Sequence, residues 1–203
     1  LVETQVHQIN SESKCIGLDY GSKNLFTKNK GGVAGYPRFF RLYEKKLARA
    51  QRKLSRKKIG SNNRNKQRIK VAKIHEKITN SRKDFQQKLS TQLVRDYDII
   101  GVESLNMQAM SQCLNLGKST MDNAWGYFVS MLEYKCEWYG KHLVFADKWY
   151  ASSKMCNVCG YKNINLTLAD REWDCTICGA HHNRDTNAAI NLMNNAKEVL
   201  SLN

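Results

Sequence analysis

Residues 41–95 contain no proline and a single glycine, Gly60, in the run Gly60-Ser61-Asn62-Asn63. A stretch this long without helix breakers, rich in Lys, Arg and Gln, favours helix over any other state. Its one interruption falls near the middle. Leu42, Leu47 and Leu54, then Ile69, Ile74, Ile78, Phe85 and Leu89, recur at near-helical spacing. The pattern predicts a helical hairpin that turns near residues 60–63, with a thin apolar seam and broad basic faces. The segment holds 19 Lys and Arg against three acids, a balance of +16; the rest of the chain carries 14 against 15. All the excess positive charge is therefore in one place, the footprint of a polyanion partner. Few acids are available for i,i+4 pairing, which argues against a merely solvated face. Arg49, Arg52, Lys53, Arg56 and Lys57 are the candidate phosphate contacts, reading a nucleic-acid backbone rather than its bases.

Strand-like segments flank the hairpin. Residues 14–27 read as strand, turn and strand, and residues 31–37 as a turn into a third short strand ended by Pro37, the only proline. Residues 96–105 have the β-branched content of a buried strand ending at Glu103. Residues 107–120 read as a loop. Residues 121–139 form an amphipathic helix with Trp125, Phe128, Met131, Leu132 and Trp138 on or near one face, stopped at Gly140. A strand over residues 142–147 and a last helix from about Thr186 to Leu200 complete a mixed α/β order, which calls for a central sheet flanked by helices. A chain of 203 residues fits one ordinary domain, or one with a small module attached. No apolar run of about 18 residues and no basic-then-apolar leader is present, so no membrane partner is expected and a cytoplasmic setting is the default.

The small module is written in cysteine. Cys156, Cys159, Cys175 and Cys178 form Cys-x2-Cys-x15-Cys-x2-Cys, each pair followed by glycine. The glycine permits a tight turn that presents two sulfurs to one ion, and four thiolates suit tetrahedral zinc. Such a site has no open position and is structural. His181 and His182 are substitutes or neighbours of that site, or line a polar surface near Asp185. Cys15, Cys113 and Cys136 are isolated in apolar surroundings and read as small buried hydrophobes.

Three carboxylates complete the inventory. Asp19 lies in or just after the first strand, Glu103 ends the later one, and Asp185 opens the last helix. Singly, they read as a turn residue, a strand-end charge and a helix N-cap. Together, on a sheet whose first strand and Glu103 strand are neighbours, they converge at one sheet edge. Clustered acids repel unless a cation neutralises them. Mg2+ or Mn2+ is the natural one, and a pair of such ions can drive phosphodiester hydrolysis. A non-catalytic nucleic-acid-binding module and a strand-transferring transposase remain open alternatives.

The stretches "GLDYGSKNLFT", "IIGVESLNM", the four-cysteine ribbon and "HHNRDTNAAINL" resemble the RuvC-type nuclease core of the transposon-encoded TnpB (OrfB) proteins, relatives of type V CRISPR effector nucleases. The basic hairpin resembles theirs too, and the likeness runs from about Lys14 onward. It implies an RNase H-like fold with an inserted zinc ribbon and RNA-guided cleavage of DNA. It also implies a two-metal site of Asp19, Glu103 and Asp185, with Arg184 at the scissile phosphate or in support. Where the family often has Asp before that Arg, this chain has Asn183. The implied organisation is a nuclease core over residues 1–150, including the hairpin 41–95, a ribbon over 151–182, and a final core helix over 183–203. Family members carry an N-terminal half that grips guide RNA, and this chain begins shortly before the first catalytic strand. Guide binding is therefore expected of a longer parent. Trp149 and Tyr150, just before the ribbon, are expected to pack against it, with base stacking as the other reading.

Overall fold

A computed structural model describes residues 13–113, 122–167 and 169–201. Five strands, β1 (Cys15–Tyr20), β2 (Phe26–Lys28), β3 (Val33–Ala34), β4 (Ile99–Glu103) and β5 (His142–Ala146), form one sheet in the order β3-β2-β1-β4-β5. β2 pairs antiparallel with both β1 and β3, whereas β1, β4 and β5 are parallel. Parallel strands are covered on both faces, which is why β1 and β4 are nearly unbroken apolar runs.

The strand period of two sorts their side chains between the two faces. Ile16, Leu18, Ile100 and Val102 join Leu93 and Val94 of α2 (Asn62–Asp96) and Trp125, Phe128 and Leu132 of α4 (Trp125–Trp138) in the main core. The opposite face carries Gly17 and Gly101, paired in register, and the last helix α5 (Arg184–Ser201) lies against them. A Cβ on Gly17 would collide with the Ala189 carbonyl, and one on Gly101 with the Leu192 carbonyl. Ala188, Ala189, Leu192 and Ala196 are the buried apolar residues of α5 at this contact. Three layers result, with α5 drawn unusually close to the sheet.

The hairpin consists of α1 (Phe39–Ser55) and α2, joined where Gly60 takes a positive φ of 81°. Ser61 caps α2 by accepting from Arg64 N at 3.2 Å, and the buried Asp122 caps α1 by accepting from Phe40 N at 2.9 Å. At 35 residues α2 is about 52 Å long. Its Gln86 donates to Asn123 O, and Asn123 meets the Tyr20 hydroxyl. Residue 86 is thus level with the end of β1, and the rest of the hairpin projects past the carboxyl ends of the central strands. The helices meet along one side only. Leu47 and Ile78 are buried, whereas Leu42 and Ile69 are 67% and 51% exposed and do not belong to the seam expected of them.

Two other expectations change. Residues 107–113 are α3 (Met107–Cys113), not loop, because Asn106 Oδ1 accepts from Ala109 N at 2.9 Å and caps a first turn. The rest of that stretch, with Met121, lies outside the described residues. Helix α4 starts after Ala124, whose left-handed φ of 47° sets its beginning, and Trp138 is 66% exposed, turned outward against Tyr134. Among the described residues no helix is long and apolar enough to cross a membrane. A separate two-stranded sheet, β6 (Glu172–Asp174) with β7 (His181–Asn183), carries the cysteine module into α5.

Candidate active site

Asp19 is buried near the end of β1, and Glu103 is the last residue of β4. The parallel register pairs Leu18 with Val102, so Asp19 and Glu103 come side by side at the next position. Both point to the face that α5 covers, since Gly17 and Gly101 two residues earlier do. Asp185 sits in the first turn of α5. The three acids meet not at a lateral edge of the sheet but beyond the carboxyl ends of two central strands. The edge expectation failed because β2 and β3 extend the sheet on the far side of β1.

The cluster perturbs its own members. Burial, then the negative charges of Glu103 and Asp185, push the Asp19 carboxyl well above the usual carboxylate range, while Arg184 and Arg171 pull it back. Burial raises Glu103 as well, against a lowering hydrogen bond donated by Ser152 Oγ at 2.6 Å. Acids arranged to oppose their own ionisation mark a candidate functional site, with the chemistry to take a cation.

The N-cap role considered for Asp185 falls to its neighbour. Asn183 Oδ1 accepts from Thr186 N at 3.1 Å, so the Asp185 carboxylate is not spent on the helix start. Arg184 lies 3.5 Å from Asp185 through Nε and donates through NH1 to Thr167 O at 3.2 Å, tying the ribbon loop to the third acid. Arg171, which the sequence reading passed over, lies 3.4 Å from Asp185, and its side chain is 61% exposed. Its signal was weak: one arginine four residues before a knuckle.

The sulfurs of Cys156, Cys159, Cys175 and Cys178 lie within 4.8 Å of one another. That fits one tetrahedral ion. His182 is buried, its Nε2 3.1 Å from Cys156 Sγ and its ring tilted against that of Trp173, so it is a neighbour of the cysteine sulfurs and not a surface group. The exposed His181 meets Asp174 at 2.7 Å. Cys136 is buried and Cys15 half-buried; the side chain of Cys113 lies outside the described residues. Tyr150 packs on α5 instead of the ribbon, its hydroxyl donating to Asn191 O at 3.2 Å, and Trp149 is 82% exposed, its ring centre 5.3 Å from the Lys148 ammonium.

A groove of about 880 Å³ runs between α1 and α2. Lys45, Lys46, Arg49, Lys53, Lys70, Lys73 and Lys77 line it, over a floor that includes Tyr43 and Ile74. Of the five candidate phosphate contacts, Arg49 and Lys53 face this groove. Arg52, Arg56 and Lys57 are exposed but do not line it. Helical phase and the turn decide this, and a charge count carries neither. Lys70, Lys73 and Lys77 were missed for the same reason.

Comparison with known proteins bears on the family and the fold. The family model OrfB_IS605, described as "Probable transposase", matches residues 1–114, and the model of the Cas12f1-like TNB domain matches residues 125–192. A Streptomyces pristinaespiralis protein named "Putative RNA-guided DNA endonuclease" is 42% identical over 95% of this chain and 48% of its own length. InsQ of Escherichia coli (strain K12), with the same description, is 31% identical over 98% of this chain and 52% of its own. The chain thus spans about half the length of these curated relatives. The cryo-EM structure of a Cas12f1–sgRNA–target DNA complex superposes with a TM-score of 0.60 at 17% identity, covering 93% of this chain and 51% of that one. That likeness carries the fold: a mixed sheet flanked by helices, with a four-cysteine cluster suited to a ribbon.

Proposed function

Starting from the TnpB (OrfB, IS605) family, to which this chain belongs, we propose that it is the nuclease portion of a transposon-associated, RNA-guided DNA endonuclease. The reading rests on one observation above the others. A buried Asp19 stands against two further carboxylates drawn from residues far away in sequence, at the end of the sheet from which a basic hairpin projects.

Asp19, Glu103 and Asp185 hold Mg2+ or Mn2+ in this reading. Bound there, divalent ions supply an activated water and neutralise the leaving oxygen of a phosphodiester. The chain's own residues do the rest. The half-exposed Arg171 neutralises the scissile phosphate, and Arg184 supports the third acid. The α1–α2 groove holds a nucleic-acid backbone about 14 to 24 Å along the helix from the level of the acids. The four cysteines hold structural zinc. The organisation is a nuclease core over residues 1–150, a ribbon over 151–182 and a closing helix over 183–203. Guide RNA and target DNA are the partners of the whole protein, in keeping with its relatives' names.

The protein carrying this chain, purified with its co-expressed RNA, is assayed on matched DNA in Mg2+. Asp19→Ala, Glu103→Gln and Asp185→Ala are expected to abolish cleavage while leaving RNA retention intact. Full cleavage by all three variants would remove the assignment, and joined rather than cut DNA ends would favour a transposase.

A further inference from the structure

The lead-in to the first cysteine knuckle, residues 150–157, is held by two asparagines of α5 one turn apart. Asn191 Nδ2 donates to Ser152 O at 2.8 Å and to Met155 O at 2.6 Å. Asn187 Nδ2 donates to Met155 O at 2.7 Å, while its Oδ1 accepts from Asn157 N at 3.0 Å, inside the Cys156–Cys159 loop. Both asparagines are buried. A buried amide left unpaired is costly, so a clamp with its donors and its central acceptor engaged has little freedom to slide. From the clamped segment Ser152, also buried, reaches across to Glu103 Oε1 at 2.6 Å.

We propose that Ser152 is a positioning residue for Glu103, and that Asn187 and Asn191 set the spacing between the second and third acids through it. Asn187 is two residues from Asp185 on the same helix. One rigid path therefore runs from Asp185 along the first turns of α5, through the amides to Ser152, and on to Glu103. The knuckle sits on this path, because Asn157 lies between two of its cysteines. Asn187, whose Nδ2 also lies 3.5 Å from Ser152 O, orders the loop that presents Cys156 and Cys159 as well. The inference rests on the reading of the three acids as a divalent-cation site. It adds that their geometry is set by uncharged side chains outside the cluster. Hydrogen bonds to ligating carboxylates are worth about 10- to 100-fold in metal affinity where they have been removed.

The test is Mn2+ binding to the full chain with zinc in place, followed by electron paramagnetic resonance, with zinc content and melting temperature measured in parallel. Ser152→Ala is expected to weaken Mn2+ binding by about 10-fold with zinc still at one per chain. Asn187→Ala is expected to weaken Mn2+ binding similarly and also to lose zinc more readily to a chelator. Ser152→Ala binding Mn2+ within twofold of wild type would overturn the proposal, even if its melting temperature fell, since a merely structural serine behaves that way. Asp185→Ala separates the two levels. If wild type binds Mn2+ and Asp185→Ala does not, the cation site stands whatever Ser152 does. If wild type binds none, the site and the proposal fall together.

Discussion

Gly17 and Gly101 are register partners on adjacent parallel strands, and together they form the slot in which α5 lies. Two residues further along the same strands stand Asp19 and Glu103. The absence of two side chains thus sets how closely the helix bearing Asp185 approaches the strands bearing the other acids.

The slot gives the first prediction. Gly101→Ala forces its new methyl against the Leu192 backbone and the Ala196 side chain, and backbone cannot turn aside as a side chain can. Overpacking of this kind costs about 1–3 kcal/mol. For a domain of this size that lowers the melting temperature by about 2–4 °C per kcal/mol. Calorimetry measures the loss. Mn2+ binding is expected to weaken in the same variant, because α5 cannot move off the sheet without carrying Asp185 with it.

The second concerns pH. Asp19 and Glu103 both have carboxyls raised above the ordinary range in the folded chain. Between the unfolded and folded values the native state binds more protons than the unfolded one, so stability falls as pH rises through that window. With divalent ions removed and zinc retained, the chain is expected to melt at a higher temperature below that window than above it. Asp19→Asn removes the more perturbed group and is expected to flatten the dependence and stabilise the ion-free chain at neutral pH. Adding Mn2+ is expected to stabilise wild type at neutral pH and to do little for Asp19→Asn. Melting curves across a pH series with and without Mn2+ check each arm.

The third concerns the groove. Removing one phosphate-binding cation is expected to reduce the slope of log K against log salt by about 0.9 on a DNA duplex. Lys70→Ala combined with Lys73→Ala removes two groove cations and is expected to lower the slope measurably. Arg56→Ala with Lys57→Ala, at the hairpin turn, is expected to change it less, although the net charge removed is the same. Fluorescence anisotropy over a salt series distinguishes a groove from a diffuse positive surface.

The fourth concerns the cysteines. Elemental analysis is expected to return one zinc per chain, and Cys175→Ser to lose it. The variant is expected to speed amide exchange across β6 and β7 and to weaken Mn2+ binding, because β7 ends directly at Arg184 and Asp185. Metal-free protein with unchanged exchange would show that the thiolates hold nothing.

The sequence reading succeeded where one physical signal dominates a long window. The hairpin follows from the missing helix breakers, β1 and β4 from apolar runs between turn residues, and the knuckles from fixed cysteine spacing. It failed where the answer depends on what lies across an interface. Leu42 and Leu47 look alike along α1, yet only Leu47 meets the other helix. Asp185 and Asn183 are both good capping residues, and the turn itself decides for Asn183. Asn187 and Asn191 pass as solvent-facing residues of a polar helix, because nothing local shows that backbone carbonyls of residues 152 and 155 await them.

The wide separation of the acids along the chain has a consequence for synthesis. Asp19 is made before Glu103, and Asp185 only after the ribbon, and α5 cannot occupy its glycine slot until it has left the ribosome. Nascent chains that end between the hairpin and α5 display the basic hairpin without the third acid. In the proposed function, the hairpin can therefore meet nucleic acid before the acidic centre is complete, and α5 is the element that completes it.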